Sequence, residues 1–255
     1  MSARAFSRWQ AAGTHLLICV AIAAAVIALM LGAWYPGPLF EAAGGTGILY
    51  ILVGVDVILG PLLTLIVFKS GKRSLKFDLT MIGLVQIAAL IYGVYVVFLA
   101  RPAFIVFVKD RFELVTTVEL EPEELAKAKY PQFSAPGWTG PQLAVADMPD
   151  DPKERTMVLY AAIAGFDLQH FPRFFVPYAE RTKDVLAKAE TVARFRVSEP
   201  VSARVLDAYL ASSGVKEDEV RVLMMRTRFA WIVMLLDPKT AQPTKMLIGE
   251  KIEKR

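Results

Sequence analysis

Three long apolar stretches fill the first hundred residues, and they constrain this chain more than any other feature. Leu16–Tyr35 holds no charge and no proline, Ile48–Phe68 holds one of each (Asp56 and Pro61), and Leu79–Ala100 has Gln86 as its most polar member. A bilayer core about 30 Å thick takes about 20 apolar helical residues to cross. Each stretch meets that length, and turn-forming or polar segments separate them. The expected fold class is a membrane protein: three transmembrane α-helices in residues 1–102, then an α+β soluble domain in residues 103–255.

Lys and Arg set the expected orientation, because they gather on the cytoplasmic side. Arg4 and Arg8 precede the first stretch, Tyr35–Gly47 carries no Lys or Arg, and Lys69–Phe77 carries four. The N-terminus and the second connection are therefore expected in the cytoplasm, and the tail outside the inner membrane, in the periplasm. Trp9, Trp34, Tyr35, Tyr95 and Phe98 stand where an aromatic belt would lie. The first stretch is longer than the 7–15 apolar residues of a cleaved signal, which favours an anchor.

The chain's net charge of +4 belongs to the membrane half, since residues 103–255 carry equal numbers of acidic and basic side chains. Positive charge at membrane boundaries excludes the nucleic-acid reading that a basic chain otherwise invites. The tail reads as strands at Ala103–Val108 and Arg111–Val118 about a Lys109-Asp110 turn, and at Leu143–Ala146. Helices follow at Glu121–Lys129, Pro152–Ala164, Tyr178–Arg196 and Val201–Ser213, the last stopped by Gly214. Strands return at Glu219–Met225, Phe229–Leu236 and Thr244–Ile248.

Chemistry finds few candidates. Cys19 is the only cysteine, His15 and His170 the only histidines, and no serine stands in a nucleophile motif such as GxSxG. No catalytic, metal or cofactor site is expected. Asp56 is the most informative residue, because an unpaired carboxylate in a span costs a few kcal/mol. It lies eight residues past Ile48, about 12 Å deep at 1.5 Å per residue, and Gln86 reaches a similar depth from the other side. Three uses remain open: a structural hydrogen bond to Gln86 or to backbone freed by Pro61, a contact with a partner helix, or ion or proton transport. Gly54, Gly60 and Pro61 around it permit close approach by another helix. In the tail, Phe166–Tyr178 concentrates aromatics with Arg173. Phe174, Phe175 and Tyr178 are either a protein-binding surface or a proline-shaped loop folded onto the sheet.

Several of these pieces recur in a known order. Trp34-Tyr35-Pro36-Gly37-Pro38, the run Gly54–Phe68, Leu75-Lys76-Phe77-Asp78-Leu79, Ala100-Arg101-Pro102, Asp110-Arg111-Phe112 and Phe175-Val176-Pro177-Tyr178 together resemble the type IV pilin accessory protein family (the TfpX/TfpZ type). That resemblance implies a multi-pass inner-membrane protein with a periplasmic domain and no enzymatic activity or cofactor. It implies that the chain binds or stabilises type IV pilin and modulates pilus assembly, alongside other assembly components. The residues alone also allow a membrane-tethered scaffold or sensor for another envelope complex, or a small transporter or membrane enzyme using Asp56.

Overall fold

The computed structural model describes residues 7–252, without the side chains of Ile48, Ile51 and Leu52; Arg4 lies outside the described residues. The chain divides into two compact units: Met1–Ala33 with Gly45–Leu99, and Trp34–Gly44 with Ala100–Arg255.

The first unit is helical. Helix α1 (Arg8–Leu29) starts in a capping box, in which Ser7 Oγ accepts from Gln10 N–H and Gln10 Oε1 from Ser7 N–H. It runs on through a π turn to Trp34. After α2 (Leu39–Ala42, part of the second unit) come α3 (Gly45–Val53), a π segment (Gly54–Leu59), α4 (Gly60–Val67) and α5 (Leu75–Leu99).

This corrects the expected fold class of three transmembrane helices. Among the described residues two helices are long and apolar enough to cross a membrane, Arg8–Trp34 with 27 residues and Leu75–Leu99 with 25. The middle stretch passes through three shorter pieces. Its apolar helix, Gly54–Val67, would span only about 21 Å at 1.5 Å per residue, against a core of about 30 Å. The break follows from composition. Glycines open both the π segment and α4, and Pro61 lacks the N–H that the next π bond, from the Asp56 carbonyl, would need.

The second unit is built on a seven-stranded mixed sheet. Its elements in chain order are β1 (Pro102–Val108), β2 (Arg111–Thr116), α6 (Pro122–Leu125), β3 (Gln142–Ala146), α7 (Pro152–Ile163), β4 (Phe175–Pro177), α8 (Thr182–Lys188), α9 (Val192–Ser198), α10 (Pro200–Ser213), β5 (Arg221–Arg226), β6 (Ala230–Leu236) and β7 (Pro243–Lys251). The order across the sheet is β4-β3-β1-β2-β5-β6-β7, with β1–β3 and β2–β5 parallel and the other pairs antiparallel. Every residue of β1 is buried, so its two faces serve two cores. Ile105 and Phe107 join Met225, Ile232 and Met234 on one face; Phe104 and Val106 join Phe133, Val158 and Phe175 on the other. A third cluster packs α9 and α10 on Val222, Val233 and Leu235.

Several expected elements change. Tyr178–Arg196 is not one helix but α8 and α9. Between them Glu190 exchanges two backbone hydrogen bonds with Val222 (2.8 and 2.9 Å), which pulls the chain out of helical geometry. The helix expected over Glu121–Lys129 shrinks to Pro122–Leu125, and the aromatic run contributes an edge strand, β4. The Lys109-Asp110 turn forms as expected, with Lys109 at φ 58°, and Gly214 stops α10 at φ 73°.

The largest departure concerns Trp34–Gly44. Trp34 and Tyr35, expected in an aromatic belt, are buried. Leu39 and Ala42, both fully buried, are part of the sheet core with Ile232 and Met234. Thr227 Oγ1 sits 2.9 Å from the Ala42 carbonyl oxygen and 2.6 Å from that of Ala230, with one proton between them. Gly44, at φ 80°, lies against the Phe229 ring, where a Cβ would overlap it. Leu39→Ala should therefore destabilise the second unit by about 2–5 kcal/mol through the cavity it leaves. Differential scanning of the full chain would read this as a lower unfolding temperature, and an unchanged transition would remove Leu39 from the core.

Candidate functional site

The polar groups of the helical unit come together in one place. His15, Cys19 and Ala23 follow each other at four-residue spacing on α1, and Asp56, Gly60 and Thr64 do the same along the π segment and α4. One face of each helix therefore carries the set. His15 Nδ1 and Thr64 Oγ1 are 2.6 Å apart. From α5, Gln86 Nε2 donates to the backbone carbonyl of Asp56 at 3.1 Å and lies 3.8 Å from Cys19 Sγ. Asp56 O is the carbonyl whose π partner would be Pro61, so the Gln86 amide replaces a missing backbone donor. Gly60 makes room for it, since a Cβ there would overlap the Gln86 amide.

The Asp56 carboxylate is left over. The residue is 8% exposed, and its Oδ1 is buried without a hydrogen-bond partner, as is Gln86 Oε1. Both atoms only accept when Asp56 is ionised. Asp56 and Gln86 line a cavity of about 280 Å³ whose other walls include His15, Ile18, Ile22, Gly83 and Leu90. An apolar cavity lined by two residues with unsatisfied acceptors suits a ligand with an apolar body and a hydrogen-bond donor. Among the described residues no group of three or more His, Cys, Asp or Glu is placed to hold a metal.

The other singled-out residues occupy different places. Pro61 is buried at the start of α4, whereas Gly54 faces open space within this chain. Phe175 is fully buried in β4, edge-on to Phe104 and Phe133 at 5.4 and 5.6 Å. Tyr178 is buried and donates its hydroxyl to Ala241 O at 2.6 Å, and burial pushes its phenol pKa up, so it stays a donor. Phe174 is half-buried beneath the Arg173 guanidinium, 5.2 Å from its ring centre. Arg173 Nη2 also donates to Glu124 Oε1 at 3.2 Å. The structure thus brings Asp56, Gly60 and Pro61 together and holds Phe174, Phe175 and Tyr178 in the other unit. Sequence reading missed His15, Cys19 and Thr64 as members of the cluster, although their four-residue spacing was there to be read.

The fimbrial assembly proteins of serogroups I and E1 of Dichelobacter nodosus are each 30% identical to this chain over 184 residues, 71% of this chain and 71% of theirs. The chain belongs to the fimbrial assembly protein family. The fimbrial assembly protein of serogroups C1 and C2 of the same organism is 34% identical over 118 residues, 46% of this chain and 90% of its own. The family model described as Fimbrial assembly protein FimB matches residues 3–44, which take in α1 and the buried turn at Leu39–Ala42. No solved structure matches.

If Gln86 closes the Asp56 carbonyl, Gln86→Leu should cost about 1 kcal/mol, within the range for hydrogen bonds between membrane helices. Cys19, now buried, reports the change directly. Gln86→Leu or Gly60→Leu in native membranes should speed maleimide labelling of this thiol, and equal rates in all three proteins would show that Gln86 does not seal the cluster.

Proposed function

We propose that this chain is a non-enzymatic accessory factor for type IV pilus assembly, anchored in the inner membrane by apolar helix and working on pilin through the Asp56 cavity. The observation that carries the reading is the buried, unsatisfied Asp56 carboxylate in an otherwise apolar cavity of the helical unit. A resident role in holding α1, α4 and α5 together is already filled by Gln86 and by the His15–Thr64 pair. What remains free is an acceptor, which suits a donor carried on another apolar helix. A pilin subunit held in the bilayer by one apolar helix is such a partner. The fimbrial assembly names of the relatives support the setting, and the resemblance to pilin accessory proteins supports the partner.

The anchoring reading draws on two features. The apolar side chains of α1 and α5 are largely exposed, Leu17 at 72% and Ile91 at 65%, and lipid covers such surfaces at no cost. Helix α1 also runs into the second unit at its C-terminal end, at Trp34. With Arg8 at the cytoplasmic end of α1, the second unit lies in the periplasm.

Two measurements test this. A reporter active only outside the cytoplasm should work when fused after Gly44 and after Arg255; silence at Arg255 with activity at Gly44 would reverse the placement of the second unit. Asp56→Asn, which keeps shape and most hydrogen bonding, should preserve co-purification of pilin. Asp56→Leu should weaken it about fivefold, as loss of one intramembrane hydrogen bond would. Failure of Asn in cells, with the protein accumulating and pilin still bound, would favour transport or proton sensing over contact.

A further inference from the structure

Strands β2 and β5 form the seam of the seven-stranded sheet, since the strands on one side of it precede α8 in the chain and those on the other follow α10. Among the described residues their register runs through Phe112–Met225 and Glu113–Arg226 alone, because β5 ends at Arg226 while β2 continues to Thr116. Facing residues on paired strands share a side of the sheet, so Glu113, Arg226 and Trp231, which faces Arg226 from β6, stand together. The core cluster holding Val115 flanks them on one side and the cluster holding Val222 on the other. Beyond the end of β5 a cavity of about 590 Å³ opens on them, and every residue that lines it belongs to the second unit.

The polar groups left over in this cavity are chiefly donors. Asp167 caps a short turn by accepting from Leu168 N–H at 2.7 Å, and the buried Leu168 plants that turn in the core. The next side chain, Gln169, is only 9% exposed, yet its amide makes no hydrogen bond among the described residues. A buried amide is seldom left so. The Trp231 indole N–H also lacks an acceptor among them. Arg226 meets Glu113 only through Nε, at 3.7 Å, and the exposed Arg228 has a ring contact with Phe229 but no ion pair. The carboxylates are already engaged: Glu113 Oε1 accepts from Arg111 Nε at 2.8 Å, and Glu119 Oε2 from the Thr116 N–H and hydroxyl, both at 2.7 Å. With Glu113 answered by Arg111, two arginines stand against the Glu119 carboxylate alone.

We propose that this cavity binds a small monocarboxylic acid with a flat apolar body. Arg226, Arg228 and the Gln169 amide hold the carboxylate, while Leu114 and the half-buried Trp231 ring take the body. A guanidinium fork matches a carboxylate in shape, and an indole stacks on a flat apolar group. Charge decides against phosphate. The spare positive charge is about one unit, whereas a phosphate monoester carries about −1.5 to −2 at neutral pH. Place and size agree, since open sheets bind ligands outside the carboxyl ends of neighbouring parallel strands, in cavities of about 300–1,000 Å³. The site is independent of the Asp56 cavity, which belongs to the other unit.

The test is isothermal titration of the full chain in detergent micelles with benzoate, benzamide and inorganic phosphate. Benzoate should bind about tenfold more tightly than benzamide, which has the same ring without the charge. It should also bind more tightly than phosphate. Arg228→Gln and Gln169→Leu should each weaken benzoate about tenfold, as loss of one hydrogen bond to a charged group does. Neither should lower the unfolding temperature, because Arg228 is exposed and Gln169→Leu removes an amide that has no partner to lose. Asp56→Leu should leave benzoate binding unchanged. Benzamide binding as tightly as benzoate would overturn the carboxylate site and leave an apolar cavity. Phosphate binding as tightly as benzoate would overturn the choice of a monocarboxylate. Benzoate affinity that survives both substitutions, or falls with Asp56→Leu, would place the acid elsewhere, and no heat with benzoate would end the proposal.

Discussion

The rest of the structure depends on the burial of Leu39 and Ala42 in the sheet of the second unit. Full burial of a leucine is worth about 1.5–3 kcal/mol, and here it comes with the Thr227–Ala42 contact and the tight approach of Gly44 to Phe229. The turn after α1 is therefore not a tether of arbitrary length between two helices. It is a structural part of the domain that the remaining chain builds. Helix α1, with its π turn, leads into that domain, and α5 ends where the domain resumes.

The helical unit shows a second economy of parts. A proline inside a helical run leaves a carbonyl without its donor, and a π segment shifts which carbonyl that is. In this chain the unpaired carbonyl belongs to Asp56, and a side-chain amide from another helix answers it. The same residue lines an apolar cavity, with one carboxylate oxygen buried and unpartnered. Backbone irregularity and the unsatisfied acceptor are thus two results of one local sequence, Gly54–Pro61.

Much of this was legible in the sequence, and the failures have physical causes. The apolar runs gave α1 and α5 because an uninterrupted periodic stretch has no competing local geometry. Lys109-Asp110 and Gly214 marked their turns because positive φ is a local requirement that few residues meet. The middle stretch misled because counting apolar residues ignores where glycine and proline break the run. Tyr178–Arg196 misled because the Glu190–Val222 bridge is a tertiary contact, and no property of the segment itself announces it. The turn Trp34–Gly44 hid for the same reason: its prolines and glycines suggest a solvent loop, and only the sheet makes Leu39 a core residue. Phe175 and Tyr178 read ambiguously as surface or core because aromatic composition is the same for both.

The Ala42–Thr227 contact joins residues 185 positions apart. At translation rates of about 5–20 residues per second, the first partner waits about 10–40 s for the second to be made. Closure of such a distant pairing is also intrinsically slow. Within that interval α5 is made while the sheet still lacks β6, so both long apolar helices precede closure of the domain. Leu39 spends that time without its core, an apolar side chain on a nascent turn. The order of synthesis therefore makes the domain close last, onto a segment made long before its partners.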